Sequence, residues 1–512
     1  MSPPPRGGSP YLRKEMFDAF VQGFVNVFGL APLAFMFLAV VIGLTIGVLP
    51  GLGAMLGMSL LLPLAYGVEP FLALPFLVSL GAVAMTGGSI TAILLNIPGT
   101  AASAATCIDG YPMTRKGEAG RAIGASLTAS GTGGFLGVLL AFIAIPVVIP
   151  AVLALRMAET FFLVVVGISF IATLSRGGQI RGLLSGVLGL LMGFVGFHAI
   201  TGLSRFGFGT AYLYEGLPII PLVLGLFAGA EVVDLAVSGQ PIARTKAAAT
   251  PGGQMLRGAG DVFRNGWLWF RSCIIGYIIG VVPGIGATGA MFIAYGQAKQ
   301  TTRHPEEFGR GAVEGVIAPE SANNAAFGGE MLTTLSFGIP GGPPMALLLT
   351  GFLVVGIQPG PQLLTNYPEL SFTLLWTVAI ANCLAAMICV PAIPYLVRVA
   401  RIHPDYLFVA VATLIFIGAF AVRLEILDLV VLLLFTGLGI LMNRFGFSRP
   451  AFLLGFVLAV VFEKYFWLAL KLQGPLFFLR PISLGLIALT IGILGFGDIR
   501  AGVERLLKRW AG

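Results

Sequence analysis

Charge is what this sequence has least of. Only 10% of its 512 residues are Asp, Glu, Lys or Arg, where soluble domains average about 25%. A soluble protein of this length needs a charged surface, and 30 basic and 22 acidic residues cannot supply one. Histidine is nearly absent, with 3 residues, each far from a second ligand, which excludes a His-based metal centre. The 4 cysteines, Cys107, Cys273, Cys383 and Cys389, form no CxxC pair and no disulfide framework, and read as small packing residues. No lysine follows a glycine, so there is no Walker A loop, and HExxH and GxSxG are also missing. GxGxxG occurs once, at Gly284–Gly289, but inside an apolar span with no soluble strand before it, so dinucleotide binding is rejected.

What the chain has is apolar residues: 57% of the total, with a mean hydropathy of +0.96. It also has 71 glycines and 32 prolines, which membrane helices tolerate better than soluble ones. The net charge of +8 comes from basic residues in short loops, as membrane orientation requires, and no basic stretch with interleaved aromatics suggests nucleic acid. The expected fold is an all-α, polytopic transmembrane protein of roughly 12 spans plus re-entrant hairpins. Candidate spans are 24–49, 52–66, 70–86, 122–153, 160–174, 182–200, 217–237, 268–294, 371–397, 405–421, 426–442, 449–470 and 481–497. The first is too long for a cleaved signal and is expected to be retained.

The chain repeats itself. Gly43–Gly53 reads GLTIGVLPGLG and Gly276–Gly286 reads GYIIGVVPGIG, with Gly or Pro at five matching positions, 233 residues apart. A second pair follows in the same order: GGSITAILLNIPGT from Gly87 to Thr100, and GGEMLTTLSFGIPGG from Gly328 to Gly342. Pro-Gly breaks a helix, and broken helices are tolerated at membrane depth only within protein or beside a water-filled cavity. Paired breaks in two halves are the best sequence pointer to a transporter site, and the repeats are expected to be inverted. A half-helix that starts after Pro-Gly turns N–H groups and a positive dipole end toward an anion. The residues expected to bind substrate are therefore Asn96, Pro98, Gly99, Thr100, Ser103, Pro340, Gly341 and Gly342. The two Ile-Pro-Gly tips are expected to approach each other near mid-membrane.

Carboxylates are scarce enough for each to matter. Glu314, Glu320 and Glu330 stand in a weakly polar stretch that includes APESANNAA at Ala318–Ala326. An intramembrane carboxylate is costly and so a functional candidate. Glu320, Asn323 and Asn324 offer oxygens of the kind a sodium ion takes, and Gly51 and Gly284 at the breaks complete the expected coupling-ion set. Glu314 is expected to pair with Arg303 or Arg310 in a loop. Asp109, in DGYP, reads as a turn residue rather than a ligand, while Thr100, Ser103 and Thr106 follow the first break. In 253–271 the seven-residue spacing of Arg257, Arg264 and Arg271 predicts a single helix lying in the membrane interface, with Trp267 and Trp269 as anchors.

These reiterated motifs, with GGSITAILLNIPGT, DGYP and APESANN, resemble those of the large membrane subunit of tripartite tricarboxylate transporters, the TctA family, over nearly the whole chain. The resemblance implies a multi-pass protein of the bacterial inner membrane that imports di- and tricarboxylates such as citrate, driven by an ion gradient. It implies two protein partners, a small membrane subunit with four spans and a periplasmic solute-binding protein. No cofactor is expected beyond Na⁺ or H⁺ as the coupling ion. The expected organisation is an N-terminal cytoplasmic or interfacial segment (1–23), a first repeat with flanking spans (24–237), a loop and interfacial helix (238–271), a second repeat (272–400), C-terminal scaffold spans (401–498) and a basic tail (499–512). A membrane-embedded enzyme or assembly scaffold, or an anion channel, are the rival readings. Two matched halves suit alternating access better than they suit a single asymmetric catalytic constellation.

Overall fold

The computed structural model describes residues 10–49, 53–173, 178–198, 200–238, 252–361, 363–399 and 404–510. Pro50, Gly51 and Leu52, the middle of the first break, lie outside the described residues. Helix dominates, as lipid demands of a chain whose backbone groups have no water to bond. Among the described residues strand is confined to one small hairpin, β1 (Gly196–Phe197) with β2 (Ser204–Arg205). Among the described residues six helices are long and apolar enough to cross a membrane by length and composition, and seven shorter apolar helices join them. The chain is an all-α, multi-pass membrane protein.

The first half runs α1 (Pro10–Val27), α2 (Leu30–Val48), α3 (Gly53–Leu61), α4 (Pro70–Leu95), α5 (Ala104–Arg115) and α6 (Ala119–Ala154). A group of supporting helices follows: α7 (Met157–Thr173), α8 (Gln179–Gly193), α9 (Ile219–Val223) and α10 (Ala230–Ser238), the last two joined by a π-helical stretch, Leu224–Gly229. The second half runs α11 (Gly252–Arg264), α12 (Gly266–Val281), α13 (Gly286–Thr301), α14 (Glu314–Phe337), α15 (Pro343–Val354), α16 (Leu363–Asn366) and α17 (Pro368–Val399). The chain ends with α18 (Pro404–Ala421), α19 (Ile426–Phe445), α20 (Arg449–Gln473) and α21 (Pro481–Trp510). Helices α7, α8, α20 and α21 pack together, and α9, α10, α18 and α19 form a neighbouring group.

The motif glycines act where helices touch. A Cβ on Gly47 would lie 2.2 Å from the Ala84 carbonyl oxygen, and one on Gly280 would lie 2.1 Å from that of Ala326. Gly43 meets Leu80 and Gly276 meets Ala322 in the same way. So α2 lies parallel to α4, and α12 parallel to α14, each pair in backbone contact of the kind small residues allow in membranes. Helices α4 and α14 cross antiparallel: Asn324 bonds Thr86, and four residues earlier on α14, Glu320 meets Ser89, three residues later on α4. Helices α6 and α17 also pack antiparallel, with Gly131 against Ala386 and Gly134 against Asn382.

The opening helix of each half packs on the closing helix of the other. Gly23 of α1 touches Phe372 and Thr373 of α17, and Asn26 bonds Thr373. Gly258 of α11 touches Arg121 and Ala125 of α6, and Asp261 pairs with Arg121 at 2.6 Å. The two segments carry one pattern, Gly23, Asn26, Val27 and Phe28 against Gly258, Asp261, Val262 and Phe263, with both valines buried.

Four expectations change. Candidate span 24–49 is two helices, because the extended backbone at Gly29 (ψ 148°) ends α1 before α2 begins. The helix expected over 253–271 stops at Arg264, and the chain bends at Asn265 into α12. Arg257 and Arg264 share α11, whereas Arg271 belongs to α12 and bonds Thr301. Between 294 and 371, where hydropathy places no span, α14 runs for 24 residues, almost wholly buried. Its glycines, asparagines and glutamates depress its hydropathy, but they face protein rather than lipid. Asp109 lies inside α5, not in a turn.

Adding one methyl group at a helix contact forces backbone apart, which costs about 3 kcal/mol at the upper end of overpacking effects. Gly280→Ala is therefore expected to lower the melting temperature of the detergent-solubilised protein clearly. Gly437→Ala on α19, where no atom lies within 4 Å of the added methyl, is expected to leave it unchanged. Thermal unfolding of the two variants side by side checks this.

Candidate functional site

Each broken hairpin begins by ending a helix in left-handed backbone. Asn96 closes α4 at φ 57° and Gly338 closes α14 at φ 67°. Asparagine and glycine are the residues that adopt this conformation readily. The Ile-Pro-Gly that follows folds back onto its own helix. The Gly99 N–H donates to the Gly88 carbonyl at 3.2 Å, and a Cβ on Gly99 would lie 2.5 Å from the Gly88 Cα. In the second hairpin the Gly341 carbonyl accepts from the Gly284 N–H at 2.7 Å, and a Cβ on Gly341 would lie 2.5 Å from the Glu330 Cα.

This contact corrects the pairing of the two motifs. Read as strings, both begin Gly-Gly. In space the position of Gly88 is taken by Glu330, and Gly87 matches Gly329, one residue later than the strings suggest. Gly87 touches Gly47 as Gly329 touches Gly280.

The tips do not approach each other. Because α4 and α14 cross antiparallel near Thr86 and Asn324, their C-terminal ends leave the crossing in opposite directions. Asn96 lies about 15 Å of helix beyond it and Gly338 about 21 Å. The expected substrate residues thus divide into Asn96, Pro98, Gly99, Thr100 and Ser103 at one end, and Pro340, Gly341 and Gly342 at the other. They also differ in exposure. Asn96, Pro98 and Ala101 are exposed, whereas Ile339, Pro340, Gly341 and Gly342 are buried. Ile339 and Gly338 pack against α7, α20 and the Pro359–Pro361 segment.

At the crossing, α14 presents its polar residues to both halves. Glu320 is fully buried. It accepts hydrogen bonds from the Thr106 hydroxyl of α5 and from Ser130 Oγ of α6 at 2.7 Å, with Ser89 and Ser126 also against it. Asn324 Nδ2 donates to Thr86 Oγ1 at 3.1 Å and to Asn382 Oδ1 at 2.6 Å. Both side-chain polar atoms of Asn323, and Oδ1 of Asn324, are buried without a hydrogen-bond partner. Glu320 and Asn324 therefore meet residues of both halves at this crossing, and Asn323 is buried beside Asn324 on the same helix. Gly284 is not part of the crossing, since it sits at the second break beside Gly341, and Gly51 lies outside the described residues.

The other acids fall elsewhere. Asp109 Oδ1 accepts three backbone N–H groups, from Gly309, Gly311 and Ala312, and Oδ2 accepts from Tyr295. It ties the loop before α14 to α5, a structural role satisfied by remote backbone. Glu314 opens α14, and among the described residues it makes no ion pair with Arg303 or Arg310. Ser89, Ser126, Ser130, Thr86 and Asn382 were missed from the sequence. They are single hydroxyl or amide residues in apolar helices, and only the fold brings them to α14. Beside α5 a cleft of about 480 Å³ is lined by Lys116, Glu118, Arg121, Glu306, Glu307 and Arg310.

The tripartite tricarboxylate transporter TctA family matches residues 33–454. An uncharacterised 52.8 kDa protein of Agrobacterium vitis, from the region 3′ of ttuC′ in TAR-I, is 34% identical over 484 residues, covering 93% of this chain and 95% of that protein. A second uncharacterised protein of the same organism, from the corresponding region of TAR-II, is 34% identical over 219 residues, covering 42% of this chain and 90% of its own. No solved structure matches the chain.

Removing the hydroxyls around Glu320 leaves buried oxygens without donors, at about 1–3 kcal/mol for each unsatisfied group. The double variant Thr106→Val, Ser130→Ala is expected to lose stability of that order in denaturation. Thr413→Val, whose hydroxyl bonds only the carbonyl of Val409 on its own exposed helix face, is expected to match the parent.

Proposed function

The chain belongs to the tripartite tricarboxylate transporter TctA family, and from that membership we propose that it is the large membrane subunit of a system importing di- or tricarboxylates, driven by an ion gradient. It works in the bacterial inner membrane with a four-span membrane subunit and a periplasmic binding protein that selects the carboxylate. The observation that carries this reading is the polar centre at the crossing of α4 and α14. A fully buried Glu320 with hydroxyl donors, next to an asparagine whose amide has no partner, is an arrangement that structure alone does not require. Unpaired buried polar atoms cost about 1–3 kcal/mol each and call for a reason.

A coupling ion supplies that reason. The oxygens of Glu320, Asn323 and Asn324 are hard ligands of the sort an alkali cation takes. The centre lies where the two halves interlock, so an ion bound there is sensed by both. Antiparallel α4 and α14, with exchanged opening helices, support an inverted repeat. Such repeats reach inward- and outward-facing states by exchanging conformations. One tip open and the other packed against the supporting helices is the asymmetry that an inverted pair has in any single state. A carboxylate group of the substrate meets the helix N-terminus at the first broken hairpin, where backbone N–H groups and the dipole favour anions.

The test is counterflow and gradient-driven uptake of radiolabelled citrate, succinate or malate in proteoliposomes containing both membrane subunits and the binding protein. Sodium and pH gradients are imposed separately. Uptake is expected to follow one of them. Glu320→Gln is expected to abolish gradient-driven uptake with insertion intact, and Asn323→Ala to raise the ion concentration needed for half-maximal rate. Wild-type rate and unchanged ion dependence in both variants would move the ion site elsewhere.

A further inference from the structure

The two hairpins share a backbone plan but differ at one decisive position. Where the first carries Gly88, the second carries Glu330. Its side chain extends into the second break. Oε1 accepts the Ala287 N–H, in the first turn of α13, at 3.0 Å. A Cβ on Gly342 would lie 2.7 Å from Oε2, which is buried and has no hydrogen-bond partner. The residue is entirely inaccessible. A carboxylate thus stands between the start of α13 and the start of α15, two helix N-termini whose dipoles attract negative charge.

The neighbouring sequence differs in the matching sense. Helix α15 opens with Pro343 and Pro344, which have no N–H to offer. The corresponding residues of the first hairpin are Ala101 and Ala102, which keep theirs. The first hairpin adds two hydroxyls, Thr100 and Ser103, 2.8 Å apart. Ser103 Oγ would lie 2.8 Å from a Cβ at position 88, so these hydroxyls stand on the side of the hairpin into which Glu330 projects in the second. At the first tip Asn96, Pro98 and Ala101 are exposed and Thr100 is half-buried, with Ser103 buried behind it, whereas the second tip is covered by α7 and α20.

We propose that Glu330 is a tethered carboxylate that fills the anion seat of the second break, so that a ligand's carboxylate is received at the first break, by Thr100, Ser103 and the N–H groups of Ala101, Ala102 and Ala104 that lead into α5. The hairpins are then one anion-binding design used twice, once for the chain's own carboxylate and once for a carboxylate from outside. Glu330 occupies the space at the dipole ends of α13 and α15 and excludes substrate from them. This deepens the carboxylate reading of the preceding section and rests on it for the identity of the ligand. The seat at Glu330 can be tested without any transport assay.

The experiment is thermal unfolding of the full-length protein in detergent, for wild type, Glu330→Gly and Glu330→Gln. Sodium formate and choline formate are titrated against the chlorides. Glu330→Gly copies the first hairpin and vacates the seat. Its melting temperature is expected to fall, and formate is expected to restore at least half of the loss in a saturating manner, with either cation. Wild type is expected not to respond to formate at the same concentrations. Glu330→Gln keeps the seat filled with an uncharged group, and is expected to be destabilised without rescue. If Glu330→Gly does not accumulate in folded form, Glu330→Gln decides. A wild-type stability that rises with sodium but not choline, and loses that response in Glu330→Gln, would make Glu330 a cation ligand and overturn the proposal. Failure of formate to act on a folded Glu330→Gly would overturn it as well. In a second arm, stabilisation of wild type by citrate is expected to be lost in Thr100→Val and in Ser103→Ala, and kept in Thr334→Val, on the second hairpin. Stabilisation that survives the first two variants and disappears in the third would place the ligand at the second hairpin. If citrate, succinate and malate all fail on wild type while formate rescues Glu330→Gly, the substrate reading is at fault and the tethered carboxylate stands.

Discussion

A backbone amide inside a bilayer has no water to bond, and every broken helix in this protein answers to that constraint. The answer is local. Each Ile-Pro-Gly tip turns back onto its own helix, Gly99 bonding Gly88 and Gly341 packing on Glu330, and Gly341 also accepts from Gly284 in the neighbouring break of the same half. Only glycine lets the backbones come close enough, with a would-be Cβ at 2.5 Å from the opposing Cα in both hairpins. The same economy governs the helix pairs beneath them, where Gly47 and Gly280 bring α2 and α12 onto the carbonyls of α4 and α14. Apolar transfer contributes little to helix association in lipid, so close packing and buried hydrogen bonds carry the specificity.

Once the breaks are satisfied at home, the rest of the architecture can be shared between halves. α1 closes on α17 and α11 on α6, so each half is completed by the other. At the crossing of α4 with α14 buried polar groups from both halves converge: Thr86 and Ser89 from one helix, Glu320 and Asn324 from the other, Thr106, Ser130 and Asn382 around them. In a low-dielectric interior such a network holds together firmly when complete and is expensive when it is not. The unpaired atoms of Asn323 make this one incomplete, which is why the proposed ion is placed there.

The breaks were legible in the sequence because Pro-Gly disrupts a helix wherever it stands, and its recurrence at fixed spacing needs no fold to be seen. Glu320 was legible for a similar reason: a carboxylate in apolar surroundings is rare. The partners of Glu320 were not. Ser130 lies 190 residues away in sequence and has no local signal. α14 escaped the hydropathy pattern because a helix enclosed by protein is free of the composition lipid imposes. Asp109 carried turn chemistry in DGYP, but three remote backbone N–H groups took its carboxylate and the helix continued through it. The strings also misaligned the hairpins by one residue, hiding the exchange of Gly88 for Glu330, because two adjacent glycines look alike in text and only one of them touches the returning chain. The tips were expected together because they hold matched places in the repeat. The antiparallel crossing separates them.

Antiparallel α4 and α14 put the starts of the two helices on opposite sides of the membrane if the halves are inverted about this crossing. In membrane vesicles of known orientation, single cysteines at Tyr66, before α4, and at Glu306, before α14, can be labelled with an impermeant maleimide in a background lacking the four native cysteines. Both positions are exposed, and they precede the antiparallel helices. One is expected to be labelled in intact vesicles and the other only after permeabilisation. Labelling of both from the same side would contradict the inversion, and would make the two halves a parallel pair.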